Sequence, residues 1–431
     1  MLAAFFMYQC YLYQYDKPNP TEIDAGIHIM ITNQGLSNYC ERNIGLAIST
    51  IQSNLPPINF KLNLGIFTID LTDGKLRQLN LDGISLKAYQ NLTILNISKV
   101  QLDLYFSLQI QQKSFPYLQD TGTLSLIVEE LSLSTQGMVE FRDPACKKNF
   151  TIVTSNTILS VKRFQVTFEC GLQVILNSIS GLLTNVMLDQ LNGQLGQSLA
   201  STIMQTLLTL LSNMAQEATV WWDIRVYTDQ RSMVGIAFQD NFLTTMFSGQ
   251  RVRLNLNNMA AVGWLDTPIS SKPNFYTDHD IQYLVERVVF NSGFQFYFSD
   301  VGGFEKVKKT KGITIHNITL PSFKNTGAKL LVDIEFGGVR ETLIYLEPIR
   351  LFSIDMGKGL FFGSLVIELT NLVPQSTLLT DMQLADLASY FSKSFSIYHF
   401  SINNVVGVDL TSVQIIFLNE NWIHVGMNME K

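Results

Sequence analysis

One stretch constrains the fold more than any other. Residues 171 to 216, GLQVILNSISGLLTNVMLDQLNGQLGQSLASTIMQTLLTLLSNMAQ, contain no Pro, no Lys or Arg, and a single charge at Asp189. Apolar residues recur at helical spacing through Leu172, Ile175, Ile179, Leu183, Val186, Leu191, Leu195, Leu199, Ile203, Leu207, Leu210 and Met214, which predicts an amphipathic helix or helix pair. Unbroken, it would reach about 70 Å, with bends permitted at Gly181, Gly193 and Gly196. Leu182, Met187, Leu188, Met204, Leu208 and Leu211 widen the apolar stripe beyond a narrow seam. Asn, Gln, Ser and Thr nevertheless interrupt every run of the roughly 20 apolar residues that a membrane span needs. One side must therefore meet a sheet, and the rest must meet something else apolar.

The surrounding sequence supplies that sheet. AGIHIMIT alternates Ile27, Ile29 and Ile31 on one face, after which Thr32 or Asn33 caps a helix running to about Leu55, where Pro56 and Pro57 stop it. From Ile58 to Cys170 nearly everything alternates at period two, as in Val100, Leu102, Leu104, Phe106, Leu108 and Ile110, with the turn signals TDGK and LDGI between runs. The reading is an antiparallel sheet with one buried face. A second unit repeats the order: the strand DIQYLVE, a helix through RVVFNSGFQFYFSDVGG ended by Gly302 and Gly303, further strands, and a shorter helix at about Met382 to Phe391. Aromatic strands, TVWWDIRVYT and MVGIAFQ, lie between the units, and VGVDLTSVQIIFLN and WIHVGMNME close the chain. The fold class is α+β, with strand, helix, sheet and helix appearing twice.

Charge and motif content narrow the function. Only 15% of residues are charged, against about 25% in typical chains, and the net charge of −6 argues against nucleic acid as a partner. The sequence has no HExxH, G-x-S-x-G, P-loop, GxGxxG or CxxC, so no catalytic centre, metal or cofactor is expected. The five histidines are scattered; His28 falls on the polar side of its strand and reads as solvated, and Asp278 to Asp280 (DHD) reads as a polar turn. The basic run KVKKTK, Lys306 to Lys311, is either a solvated loop tip or a contact for anionic headgroups.

Residues 1–19 begin with MLAAFFMYQCYLY, which resembles the apolar region of a secretory leader without a basic start or an A-x-A site. Sequons at Asn91, Asn96, Asn149 and Asn317 are compatible with glycosylation in a secreted or lumenal setting. Cys40 lies on the apolar side of its helix and reads as a small buried hydrophobe. Cys146 and Cys170 each stand where a strand meets the next element; a bridge between them would staple helix to sheet, and the alternative is two free thiols.

AGIHIMITNQGL at 25 to 36, the cysteine-flanked strand before the long Leu/Gln-rich helix, DIQYLVERVVFNSGF and the terminal SINNVVGVDLTSVQIIFLNENWIHVGMNME together resemble the bactericidal/permeability-increasing, lipopolysaccharide-binding and lipid-transfer protein family. The resemblance implies two similar barrels, each a coiled antiparallel sheet wrapped around a long helix, joined by a central β-sheet into a boomerang. It implies an N-terminal barrel over 20–217, central-sheet strands over 218–272, a C-terminal barrel over 273–400 and returning strands over 401–431. In this reading Leu36, Ile44 and Ile48, with Leu183, Val186 and Leu191 of the long helix, line an apolar pocket for phospholipid-like lipid, exchanged in transient contact with membrane surfaces. The alternative is a lipopolysaccharide-binding antibacterial or innate-recognition protein. Three departures stand out: Met30 replaces the Arg usual in the signature, the last predicted helix is short, and no Pro-rich linker is present.

Overall fold

The computed structural model describes residues 25–42, 44–54, 58–141, 150–178, 181, 185, 187–189, 199–204, 206, 221–223, 226–229, 233–250, 252–255, 261–262, 269–298, 309–324, 327–347, 349–355, 361–367, 375–395, 400–402 and 408–429. Strand β1 (Ile27–Thr32) runs straight into helices α1 (Asn33–Arg42) and α2 (Ile44–Asn54). Strands β2 (Ile58–Leu64), β3 (Phe67–Tyr89), β4 (Leu92–Gln112), β5 (Gln119–Phe141) and β6 (Phe150–Glu169) then pair in chain order as one antiparallel sheet, followed by α3 (Gln173–Ser178). Next come β7 (Trp221–Asp223), β8 (Val226–Asp229), β9 (Met233–Gln239), β10 (Phe242–Phe247), β11 (Val252–Asn255), β12 (Ala261–Val262), β13 (Ile281–Glu286) and α4 (Val288–Phe298). The chain continues through β14 (Lys309–Thr310), β15 (Ile313–Lys324), β16 (Gly327–Phe336), β17 (Val339–Glu347), β18 (Ile349–Asp355) and β19 (Phe361–Ile367). It ends with α5 (Asp381–Phe395), β20 (Phe400–Ile402), β21 (Val408–Phe417) and β22 (Trp422–Met429).

The five-stranded sheet is curled, and its sequence shows how. In β4 the buried positions are Leu95 and Ile97, then Val100, Leu102, Leu104, Phe106, Leu108 and Ile110, so the parity flips between 97 and 100. A strict strand would turn one of these runs to solvent. A bulge at Lys99, whose φ is +55°, absorbs the extra residue and keeps both runs inward. The same flip occurs in β5 between Val128 and Leu131, at Glu130, and in β3 between Leu81 and Ile84, at Gly83. These irregularities lie side by side across three strands. Bulges add bend and twist, and a row of them turns a flat sheet into a half-barrel.

This corrects one expectation from the sequence. TDGK and LDGI do not separate strands; both lie inside β3, where Asp73 and Gly83 take positive φ within continuous pairing to β4. Asp-Gly supplies the left-handed backbone that a turn needs, and a bulge needs the same conformation.

Six strands in the order β21-β22-β13-β1-β10-β9 form the central sheet. It joins segments more than 390 residues apart, with β1 held between β10 and β13. Strands β14–β17 make a four-stranded sheet, β18–β20 a three-stranded one, and β7, β8, β11 and β12 another four-stranded one. Thr32 rather than Asn33 caps α1, because its hydroxyl accepts the Gly35 N–H at 3.0 Å. Helix α5 runs four residues beyond the expected Phe391. Within the 171–216 stretch, α3 and the other described residues from 181 to 206 are helical, and Leu176, Met187, Leu199, Ala200, Ile203 and Met204 are buried.

Candidate functional site

The inner face of the half-barrel is a continuous apolar surface. Phe60, Leu62, Ile69, Leu71, Leu86, Leu95, Leu104, Phe106, Leu126 and Val128 belong to one cluster that also takes in Leu176, Met187, Leu199, Ile203 and Met204 from the helical stretch. Gly137 of β5 makes room for side chains of the neighbouring strands, since a Cβ there would stand 2.7 Å from Ile152 Cγ2 and 3.0 Å from Thr93 Cγ2, and the Met204 methyl of the helical stretch lies beside it at 3.4 Å. Among the described buried residues of β2–β6 the polar ones are Thr68, Thr93, Gln112 and Thr135, with no charge.

Helix α1 sits where this surface meets the central sheet. Asn33 ties it to the end of β3, accepting the Ala88 N–H at 2.7 Å. Asn38 donates to Asp280 Oδ2 at 3.1 Å, and the same oxygen accepts the Met429 N–H at 2.9 Å, so one carboxylate joins α1 to both ends of the central sheet's long-range pairing. Gly35 is required there, since a Cβ would stand 2.4 Å from the Asp280 carbonyl oxygen. Leu36, Tyr39 and Cys40 are buried on the inner side, and burial pushes the Cys40 thiol up to about 12, which leaves it an inert hydrophobe.

Of the residues expected to line a pocket, Leu36 is fully buried, and Ile44 and Ile48 pack, partly buried, against the same cluster. Leu183, Val186 and Leu191 lie outside the described residues, as do Cys146 and Asn149. Cys170 is half-buried at the end of β6 and has no disulfide partner among the described residues. Asn91 is exposed in the β3–β4 turn; Asn96 is exposed on β4 and accepts from Ser134 Oγ at 2.8 Å; Asn317 is half-buried beside a register shift in β15.

His28 is not solvated, contrary to expectation. It is buried on the central sheet, its ring 5.8 Å from that of Trp422, and burial, reinforced by Lys272, lowers its pKa to about 4. Alternation gave it a polar face, but the strands on both sides and the 269–280 segment cover that face. His424 is likewise buried, and desolvation, with His279 nearby, lowers it to about 4. Gln282 fixes its tautomer. The Gln282 amide donates to the Thr277 and His279 carbonyls at 2.7 and 3.1 Å and accepts the Thr277 N–H at 2.9 Å, so its oxygen takes the proton of His424 Nε2 at 3.1 Å. Asp280, from the expected polar turn, proves to be a buried anchor. Sequence pattern could not have found this cluster, because its members are brought together only by pairing of β1, β13 and β22.

In class this is a mostly β fold with a curled half-barrel sheet and few helices. The crystal structure of a lipopolysaccharide binding protein is similar to it, with a TM-score of 0.56 at 14% identity, covering 94% of this chain and 99% of that one. At that identity the likeness shows the fold alone, mostly sheet with a curled half-barrel. Two structures of a Clostridium botulinum protein align over 95% and 94% of the chain and 100% and 98% of their own, at 10% and 7% identity, with TM-scores of 0.24 that carry no argument. No protein-family model matches the sequence, and no curated protein matches it.

Proposed function

We propose that this chain binds phospholipid-like lipid, non-enzymatically, between the inner face of the half-barrel and the helices that cross it, and exchanges it with membranes from a secreted or lumenal location. The observation that carries the reading is the uncharged inner face, faced by helices whose apolar residues Ile44, Ile48 and Ile175, with Leu172 just ahead of α3, are only partly buried against it. Acyl chains need such a lining: apolar throughout, and with side chains not yet committed to close packing. The fold shared with a lipopolysaccharide binding protein supports a lipid ligand. The two expected barrels, each around a long helix, belong to this proposal.

Phospholipid is favoured over lipopolysaccharide by charge. Residues 20–217 carry 12 Lys and Arg against 15 Asp and Glu, and a slightly acidic domain gains no long-range attraction to a phosphorylated, anionic glycolipid. The test is mass spectrometry of an organic extract of the purified protein, followed by titration with phosphatidylcholine and with lipopolysaccharide at low and physiological salt. A co-purified phospholipid and weakly salt-dependent uptake are expected. Steeply salt-dependent, nanomolar lipopolysaccharide binding by the protein would replace this reading with the antibacterial one, and turnover of ester lipids would replace both.

A further inference from the structure

The central sheet buries two faces. Ile27, Ile29 and Ile31 join the main core, while Met30, Leu284 and Trp422 on the opposite face form a small cluster of their own, with Phe242, Ile269 and Leu418 packed around it. Residues 269–280, which form neither helix nor strand, run across this second face. Both ends of the segment are tied to the sheet. The Ser270 hydroxyl donates to Glu286 Oε1 at 3.1 Å; the Gln282 amide holds Thr277 and the His279 carbonyl, and the Asp280 N–H donates to Asn428 Oδ1 at 3.2 Å. Between the ends the hold is by rings. Phe275 stands edge-on to His424 at 5.1 Å, Tyr276 stacks on Phe242 at 4.9 Å, and the Lys272 ammonium lies 5.6 Å from the Tyr276 ring. Gly426 permits the close approach, because a Cβ there would stand 2.4 Å from His279 Nδ1.

Basic groups gather in this layer. His28 and His424 lie under the segment; Lys272 of the segment acts on His28, and the His279 ring is 6.4 Å from that of His424. Strand β10 sets Thr244 and Met246 in register with β1, and β21 sets Ile416 beside His424, its one carboxylate, Asp409, being bonded to Thr411. The Glu286 carboxylate of β13 is taken by Ser270, the Val288 N–H and the Arg287 guanidinium. Asp278 is exposed, and Asp280 is committed to Asn38 and the Met429 N–H. Neutral rings fit this setting. His28 and His424 each bury an Nδ1 with no hydrogen-bond partner among the described residues. A protonated ring carries N–H at both nitrogens, so each would hold an unmet cationic donor, with Lys272 or His279 beside it.

We propose that residues 269–280 form an acid-released strap: when His28 and His424 take up protons, the middle of the segment, 271–276, lifts from the central sheet while β1, β13 and β22 stay paired. The lift bares Met30, Leu284 and Trp422 and lets water reach both imidazolium rings. The strands can stay, because the ladder joining β1, β13 and β22 does not run through the segment. Burial lowers both histidines to about 4 in the closed form, against about 6.5 when exposed. The open form therefore binds more protons between these values, and opening becomes easier as pH falls through them, by on the order of a hundredfold for each histidine. Glu286 acts in the opposite sense: burial raises its carboxyl, so the closed form holds the neutral acid more readily and the net effect is reduced. The strap is independent of the lipid reading and stands or falls without it.

The experiment is hydroxyl-radical footprinting of the full chain between pH 7 and about pH 4.5, read by mass spectrometry. Met30 and Trp422 should oxidise on the order of tenfold faster in acid. Tyr283, on the other face of β13, and Phe106 of the half-barrel should stay protected, since both are fully buried in the main core. His28→Phe with His424→Gln should abolish the acid response, and Lys272→Met, which removes the cation acting on His28, should move it to lower pH. Constant protection of Met30 and Trp422 down to about pH 4.5 overturns the proposal. Joint loss of protection at Met30, Trp422 and Tyr283 also overturns it, because the strands have then parted, and so does a release that Lys272→Met leaves at the same pH.

Discussion

The half-barrel and the central sheet bury comparable strands by opposite means. In the half-barrel one face is mostly apolar and carries no buried charge among the described residues, the other is solvated, strands run to 23 residues, and bulges restore the parity of the buried face. In the central sheet β1, β13 and β22 are buried nearly throughout, and one face carries His28, Gln282, Glu286 and His424 in the interior. An apolar face tolerates varied contents, whereas a buried side chain bonded as Gln282 is, to Thr277, His279 and His424, fits in one geometry only. The half-barrel is suited to hold a ligand. The central sheet is suited to hold the chain in one arrangement.

Acid should separate the two regions most strongly. His28 and His424 are neutral in the fold with pKa near 4, against about 6.5 unfolded. Between these values the unfolded chain binds more protons, so stability rises with pH across the window and is lost as pH falls from 6.5 to 4. The loss is up to roughly 3 kcal/mol for each histidine. Glu286, whose carboxyl burial raises, works in the opposite sense and reduces the net fall. Thermal unfolding from pH 7 to 4 should show the decline, and His28→Phe with His424→Gln should flatten it. A profile that stays steep in that variant would assign the acid sensitivity elsewhere.

Gly35→Val tests how rigid the junction is. Its Cβ would meet the Asp280 carbonyl carbon and oxygen at 2.9 and 2.4 Å, and both are backbone, so neither α1 nor β13 can yield locally. Destabilisation of about 4 kcal/mol is expected by urea unfolding. Gly45→Ala, where nothing lies within 4 Å of the new Cβ, should instead stabilise α2 by about 0.5 kcal/mol.

Leu104→Ala probes the apolar face at a fully buried position in β4 and should cost about 3 kcal/mol. If lipid fills the interior, added phospholipid should recover part of that loss by occupying the space, a gain that Gly35→Val cannot share.

How much of this was legible follows from the same contrast. The half-barrel's inner face could be read from Val100 to Ile110 by alternation alone, and Leu199 and Ile203 were placed correctly on the buried stripe of the helical stretch. Its curl was hidden, because Asp73 and Gly83 carry the same local signal for a bulge as for a turn, and only pairing with β4 decides between them. The polar interior of the central sheet was illegible for a different reason. Alternation assigns His28 to a polar face, and nothing local reveals that β10, β13 and the 269–280 segment will cover it.

Ile48→Ala sharpens the functional side of the comparison. Ile48 packs only partly buried against the inner cluster, so its truncation should cost about 1 kcal/mol or less in stability. Lipid uptake should fall by severalfold in a fluorescent phospholipid titration if α2 lines the ligand. Equal affinity in the parent and the variant would remove α2 from the lining while leaving the half-barrel's inner face as the candidate.

The smallest effect is expected at Lys311, the last lysine of the basic run. It stands in the turn between β14 and β15, exposed, with its ammonium on the Asp386 carboxylate of α5. An exposed ion pair of this kind contributes about 0–1 kcal/mol, because solvent screens the attraction and two long side chains lose freedom to make it. Lys311→Ala should therefore lower stability by less than about 0.5 kcal/mol, and by less still in high salt. Its charge is already balanced within the fold, so phosphatidylcholine vesicle binding should be unchanged. A clear loss of vesicle binding in Lys311→Ala would mean that the C-terminal half, through its basic run, takes part in membrane contact.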